Sequence, residues 1–172
     1  MILVQHRSFW LEVTPDAFVP SGQLQLNCIR ALPNTWESAK SLWCECGRGF
    51  WTARSRWSPE RWQSHLSDRV IQFFIAVARQ DQVGFFELVA QHRSIRIEGL
   101  GLLPCQRAKG LGGPLLTSAV REAFRLGAPR VTLHTATDDH PSAMANYLAR
   151  GFRIYREGVL TNPMRPSSTG LQ

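Results

Sequence analysis

Gly101-Leu-Leu-Pro-Cys-Gln-Arg-Ala-Lys-Gly-Leu-Gly-Gly-Pro-Leu-Leu116 reads as a strand that stops at a proline, a glycine-rich turn, and the first turn of an amphipathic helix. A helix start leaves its first backbone N–H groups without intrahelical partners and carries the positive end of the helix dipole. Glycines at 110, 112 and 113 let a ligand approach that backbone with no Cβ in the way. The stretch is therefore suited to an anion, and a diphosphate fits the requirement. It is not a P-loop, because no Gly-Lys-Ser/Thr follows, and its glycine spacing is not the dinucleotide fingerprint.

Downstream, the helix predicted over 112–126 carries Leu115, Leu116, Ala119, Val120 and Ala123 on one face, and Gly127 and Pro129 end it. Residues 130–135 read as a strand, 141–150 as a helix capped at Asp139 or His140, and 152–156 as the last strand. Upstream, 94–103 is a strand. The apolar runs 70–78 and 83–90 form a hairpin through a turn at Asp81-Gln82. Strands at 8–14 and 23–30 precede helices at 35–44 and 58–66, the second with a Ser58 cap and Pro59 in its first turn. Strands thus come first as an antiparallel meander, followed by strand–helix–strand–helix–strand, which predicts a mixed α/β sheet with helices on its faces.

The chain has 172 residues, 44% hydrophobic and 19% charged, which suits one globular domain over 1–159 with a loose Pro/Ser/Gly tail at 160–172. No apolar run is long enough for a membrane span and the N-terminus has no export pattern, so a cytoplasmic location without membrane partners is expected. Net charge is +7, almost all from arginine, since Lys40 and Lys109 are the two lysines. Such a balance suits a polyanionic ligand. The arginines are dispersed, with no basic block of the kind that marks a nucleic-acid arm. Cys44-Glu-Cys46 is too closely spaced for a zinc half-site, so no metal is expected. Cys105 reads as a small filler residue.

A second motif adds to the turn. Ala143-Met-Ala-Asn-Tyr147-Leu-Ala-Arg-Gly151-Phe152 places a tyrosine one turn before Gly-Phe. A phenol at the inner end of a cleft can protonate a departing thiolate. Arg107, Gly110 and Gly112 in the turn, with Ala143, Tyr147, Gly151 and Phe152 on the later helix, resemble the GNAT superfamily of N-acetyltransferases in order and spacing. The likeness covers roughly residues 8–158 and extends to a small bacterial subgroup without firmly assigned substrates.

That resemblance implies a central, largely antiparallel sheet of six to seven strands flanked by about four helices and splayed at the fourth core strand. It implies acetyl-CoA as co-substrate, with its pantetheine arm along the strand that ends at Leu102 and Leu103. The pyrophosphate would lie on the amides of Ala108, Lys109, Gly110, Leu111, Gly112 and Gly113, with Arg107 and Lys109 adding charge. Gly99 and Gly101 fit a bulge or a close ligand approach. His140 stands where many members carry asparagine, and it caps the helix or touches the pantetheine beside Ala143. Arg96 stands where some members carry a glutamate base. Glu98, two residues on and on the same strand face, takes the role of base directly or through a water, with Glu87 as the fallback and a catalytic His140 as a further alternative.

The expected reaction is direct acetyl transfer to a primary amine of a small molecule. Glu98 accepts the proton, an N–H of Leu102 or Leu103 steadies the oxyanion, and Tyr147 protonates the sulfur. The acceptor site would come from 36–62, where Trp36, Trp43, Trp51, Trp57 and Trp62 mingle with Arg48, Arg54 and Arg56. Arginines there favour an amino-acid-like amine over a polycation. A non-catalytic acyl-CoA-binding or sensing module is the alternative, and monomer and homodimer are both open.

Overall fold

The computed structural model describes residues 5–22 and 24–161. The strands are β1 (Gln5–Val13), β2 (Asn27–Arg30), β3 (Ile71–Ala78), β4 (Asp81–Gln91), β5 (Ser94–Leu102), β6 (Val131–Ala136) and β7 (Arg153–Thr161). The helices are α1 (Trp36–Cys46), α2 (Pro59–Ser67), α3 (Gly112–Arg125) and α4 (Ala143–Ala149). One seven-stranded sheet runs β2-β3-β4-β5-β6-β1-β7. Among the described residues only β5 and β6 pair in parallel. This is the mixed, largely antiparallel architecture that the resemblance implies.

Burial explains the two layers. Leu115, Leu116, Ala119, Val120 and Ala123 of α3 are fully buried against Leu11, Phe86, Ile97 and Leu133 on one sheet face. Trp62, Leu42 and Ala39 of α1 and α2 cover Phe73 and Phe85 on the other. β4 lies between the layers, so its run from Val83 to Leu88 is buried on both faces and shows no polar alternation. Stacked pairs register the hairpin: Phe73 on Phe85 at 4.8 Å and Phe74 on Phe86 at 4.9 Å.

The fourth strand of the β2–β5 meander carries the splay. β4 and β5 are in register except between Glu87 and Leu88, where Glu87 faces Gly99 and Leu88 faces Ile97. Glu98 is the extra residue of this bulge. β5 pairs with β6 only from Ile95 to Ile97, opposite Val131 to Leu133. Beyond that point the two strands part, and a cleft opens through the sheet.

Several expectations need correction. β1 does not join the meander but lies between β6 and β7, antiparallel to both. Glu12 of β1 is buried there and is neutralised by Arg130 and Arg153, each at 2.8 Å, which come from the approaches to its two neighbours. The β3–β4 turn is at Arg79-Gln80, not Asp81-Gln82, and Arg79 takes a positive φ of 58°. The tyrosine helix starts at Ala143 rather than 141, because His140 Nδ1 accepts the Ser142 N–H at 3.2 Å and holds a turn before it. β7 continues through Thr161, past the expected boundary at 159, and the rest of the expected tail lies outside the described residues. Gly151 ends α4 at φ 88°, with Ala17 O only 2.0 Å from where a Cβ would sit, so no larger residue fits this stop.

Candidate active site

The cleft is a cavity of about 530 Å³ that passes between the splayed strands, with α3 and α4 on one side and α1 with its following loop on the other. Among the described residues no helix is long and apolar enough to cross a membrane.

The glycine-rich turn forms one wall. Ala108 and Gly110 both take left-handed backbone, at φ 58° and 74°. A non-glycine residue there stores strain, a feature that clusters at ligand sites. Alternating handedness points successive amides toward one spot. Among the described residues, the N–H groups of Ala108, Lys109, Gly110 and Leu111 donate to no protein acceptor. Leu111, Gly112 and the start of α3 complete this wall, and Asn146 of α4 braces it by donating from Nδ2 to Gly112 O at 3.0 Å.

The structure separates the expected contacts. Leu102, Arg107, Ala108, Gly110, Leu111, Gly112, His140, Ala143, Tyr147 and Glu98 all line the cavity. Leu103, Lys109 and Gly113 do not. Leu103 packs toward the α1–α2 core, and its N–H already donates to Val83 O at 2.9 Å, so it cannot serve an oxyanion. Lys109 Nζ reaches Gln106 Oε1 at 3.3 Å on the surface. Gly113 is a packing glycine, since a Cβ would meet Ser21 Oγ at 2.4 Å and Arg150 Nη1 at 2.6 Å. Arg107 folds across the cleft, donating to Cys46 O at 2.9 Å and lying 5.3 Å over the Phe50 ring. Gly99 and Gly101 are demanded from beneath: Cβ atoms there would meet Phe85 at 3.0 Å and Cys46 at 2.8 Å.

Tyr147 is half-buried, edge-on to Phe152 at 6.1 Å. Burial pushes its phenol well above the ordinary tyrosine range, and the Asp139 carboxylate adds to the shift. The group therefore stays protonated and can act as an acid. Asp139 is itself fixed by the Thr135 hydroxyl and by the Ala136 N–H at 3.0 Å. Burial pushes the cavity-lining Cys46 thiol up to about 12, so no ready thiolate faces the cleft. Cys105 is exposed and outside the lining.

On the other wall, Glu98 is paired with Arg96 at 2.5 Å and keeps about a third of its side-chain surface accessible. Glu87, the fallback base, is 1% exposed and fully engaged. Arg54 donates Nη2 to its Oε1 at 2.8 Å and Nη1 to its Oε2 at 2.9 Å, and His65 Nε2 lies 2.6 Å from Oε2. Burial pushes the Glu87 carboxyl up, but the His65 and Arg54 hydrogen bonds outweigh it and hold the group below its usual range. Three hydrogen bonds hold both oxygens, and the group is buried and does not line the cavity, so Glu87 is excluded as the base.

Arg54 lines the cavity, as the expected acceptor segment 36–62 placed it, whereas His65, His134 and Asn146 escaped the sequence reading. A glutamate within Phe85-Phe86-Glu87-Leu88 is a signal in hindsight, because a carboxylate in a doubly buried strand requires partners. Nothing local marks Asn146, whose role depends on a turn 34 residues away.

Comparison with known proteins agrees with this geometry. The family model described as "Acetyltransferase (GNAT) family" matches residues 36–152. Over 58 residues the chain is 40% identical to a mycothiol acetyltransferase of Corynebacterium aurimucosum, covering 34% of this chain and 19% of that protein. A GCN5-related N-acetyltransferase from Kribbella flavida superposes with a TM-score of 0.64 at 20% identity, over 89% of this chain and 56% of its own. One from Sphaerobacter thermophilus gives 0.68 at 18%, over 90% and 50%. This chain thus spans about a fifth of the curated relative and about half the length of those two solved proteins. The match across most of the chain, on a sheet splayed where the motifs meet, shows that it belongs to the GNAT acetyltransferase family.

Proposed function

We propose that this protein transfers an acetyl group from acetyl-CoA to a primary amine of a small, amino-acid-like molecule, by direct attack in a ternary complex. The observation that carries this reading is the cavity itself, where unpartnered amides, a protonated phenol and an accessible carboxylate share one cleft between splayed strands. The mycothiol acetyltransferase and the solved N-acetyltransferases are named for the same class of chemistry.

Acetyl-CoA supplies the activated thioester. The amides of Ala108, Gly110, Leu111 and Gly112 hold the pyrophosphate, and β5 from Gly99 to Leu102 lines the pantetheine arm. Glu98, directly or through a water, accepts a proton from the acceptor ammonium. The freed amine forms its bond to the thioester carbonyl carbon, its nitrogen gives up a second proton to solvent, and the carbon–sulfur bond breaks. Tyr147 delivers its proton to the leaving sulfur and regains one from solvent. No covalent enzyme intermediate is needed.

Phe50 excludes water from this cleft. Its ring bridges the walls, with Arg107 at 5.3 Å and His140 at 5.7 Å. Phe50→Ala is expected to raise thiol release in the absence of any amine and to raise KM for acetyl-CoA several-fold. Unchanged background hydrolysis, measured with a thiol reagent, contradicts that role.

A binding module without turnover is the second reading, and the Arg96–Glu98 pair favours it by occupying the base. Calorimetric titration with acetyl-CoA, followed by thiol release across an amine library, separates the two. Amine-dependent release supports the transferase. Tight binding with no release on any amine supports the module.

A further inference from the structure

We infer that Arg54 reads a neutral carbonyl oxygen on the acceptor, so that the substrate class is an aminoacyl compound whose amine sits on the carbon next to an amide or ester. The inference deepens the transferase reading and rests on it. Arg54 and Glu98 are the charged side chains that the wall formed by α1, its following loop and the bulge presents to the cavity. Glu87 fixes where Arg54 stands, and Glu87 lies opposite Gly99, beside the bulged Glu98. The guanidinium and the Glu98 carboxylate therefore flank a patch of strand that has no side chain of its own.

The donor count leaves work for a ligand. A guanidinium has five N–H groups. Glu87 takes one from Nη1 and one from Nη2. His65 Nε2 lies 3.1 Å from Nη1, but it faces the Glu87 carboxylate and carries its hydrogen there, so it offers arginine no lone pair. Among the described residues no other acceptor meets Arg54. Its side chain is only 14% exposed, between the rings of Trp43 at 5.7 Å and Trp57 at 5.0 Å. Donors in such a place lose free energy unless something accepts from them.

Charge then selects the acceptor group. Glu87 already neutralises Arg54 and sits against it with both oxygens, so a second carboxylate would meet like charge at close range. A carbonyl oxygen meets the same donors without repulsion. Glu98 takes the ammonium, which shares that carboxylate with Arg96. An α-aminoacyl group presents both features on adjacent carbons. The side chain that carries the donors is preset by Glu87, His65 and two indoles, so binding costs it little ordering entropy.

The test compares, for several side chains, the amino-acid amide, the free amino acid and the decarboxylated amine as acceptors in the thiol-release assay. The amide is expected to exceed the decarboxylated amine by about tenfold or more in kcat/KM, with the free acid below the amide. Arg54→Gln/Glu87→Gln removes both charges together, leaving none orphaned, and is expected to level the amide and the amine while acetyl-CoA affinity stays unchanged. Equal use of amide and amine by the wild type overturns the inference, as does preference for the free acid or a ratio that survives the double substitution. Should the variant lose acetyl-CoA binding, the wild-type ratios alone decide. Absence of amine-dependent release with every amine defeats the transferase reading and this inference with it, whereas efficient use of amines lacking a carbonyl defeats only the inference.

Discussion

Tyr147→Phe is expected to lower kcat by about 10²–10⁴-fold, the range that removal of a positioned general acid costs. Acetyl-CoA affinity should change little, because the phenylalanine ring keeps the packing against Phe152 and only the proton is lost. The pH profile supplies the sign. Burial, with Asp139 adding, raises the phenol above its ordinary value, so the acid form persists as pH rises through about 10, where an ordinary tyrosine would begin to lose it. Wild-type kcat should therefore show no falling limb below that pH. Full turnover by the phenylalanine variant at every pH contradicts the assignment.

Glu87→Leu is expected to destabilise the fold by about 3–5 kcal/mol, because it leaves the Arg54 charge buried and unpaired. Urea unfolding followed by tryptophan fluorescence measures it, since Trp43, Trp57 and Trp62 surround the group. The pH dependence runs in a definite direction. A carboxyl held below its reference value of 4.5 contributes stability above that pH and loses it as pH falls through the folded value. The acid limb of the stability curve should therefore flatten in Glu87→Leu. A loss below about 1 kcal/mol would place the triad among weak surface pairs and contradict its structural role.

What the sequence made legible follows the range over which each signal acts. The turn at 107–113, the α3 face and the glycine stop at 151 are local, written in residues within one or two turns of each other, and they stand where expected. The bulge was legible from Gly99, though the stronger reason for glycines at 99 and 101 lies underneath, in Phe85 and Cys46. The place of β1 was not legible. Its pairing with β6 and β7 joins residues more than a hundred positions apart, and no local pattern distinguishes an edge partner of β2 from a strand between β6 and β7.

The site divides in the same way. Tyr147 and the amide turn were carried by spacing. The partner of Glu98 was visible as Arg96, because alternation puts both on one strand face. Leu103, Lys109 and Gly113 sit inside the motif yet outside the cavity, since spacing fixes the order of residues but not which way each one turns. Arg54, His65 and Glu87 come from a loop, a helix and a strand, and only tertiary packing brings them together.

A crystal structure of the protein with coenzyme A bound tests the central claim most directly. The account predicts the pyrophosphate within hydrogen-bonding distance of the amides of Ala108, Gly110, Leu111 and Gly112, and the thiol between Tyr147 and Glu98. Coenzyme A bound elsewhere, or a cleft that stays closed to it at saturating concentration, contradicts the account.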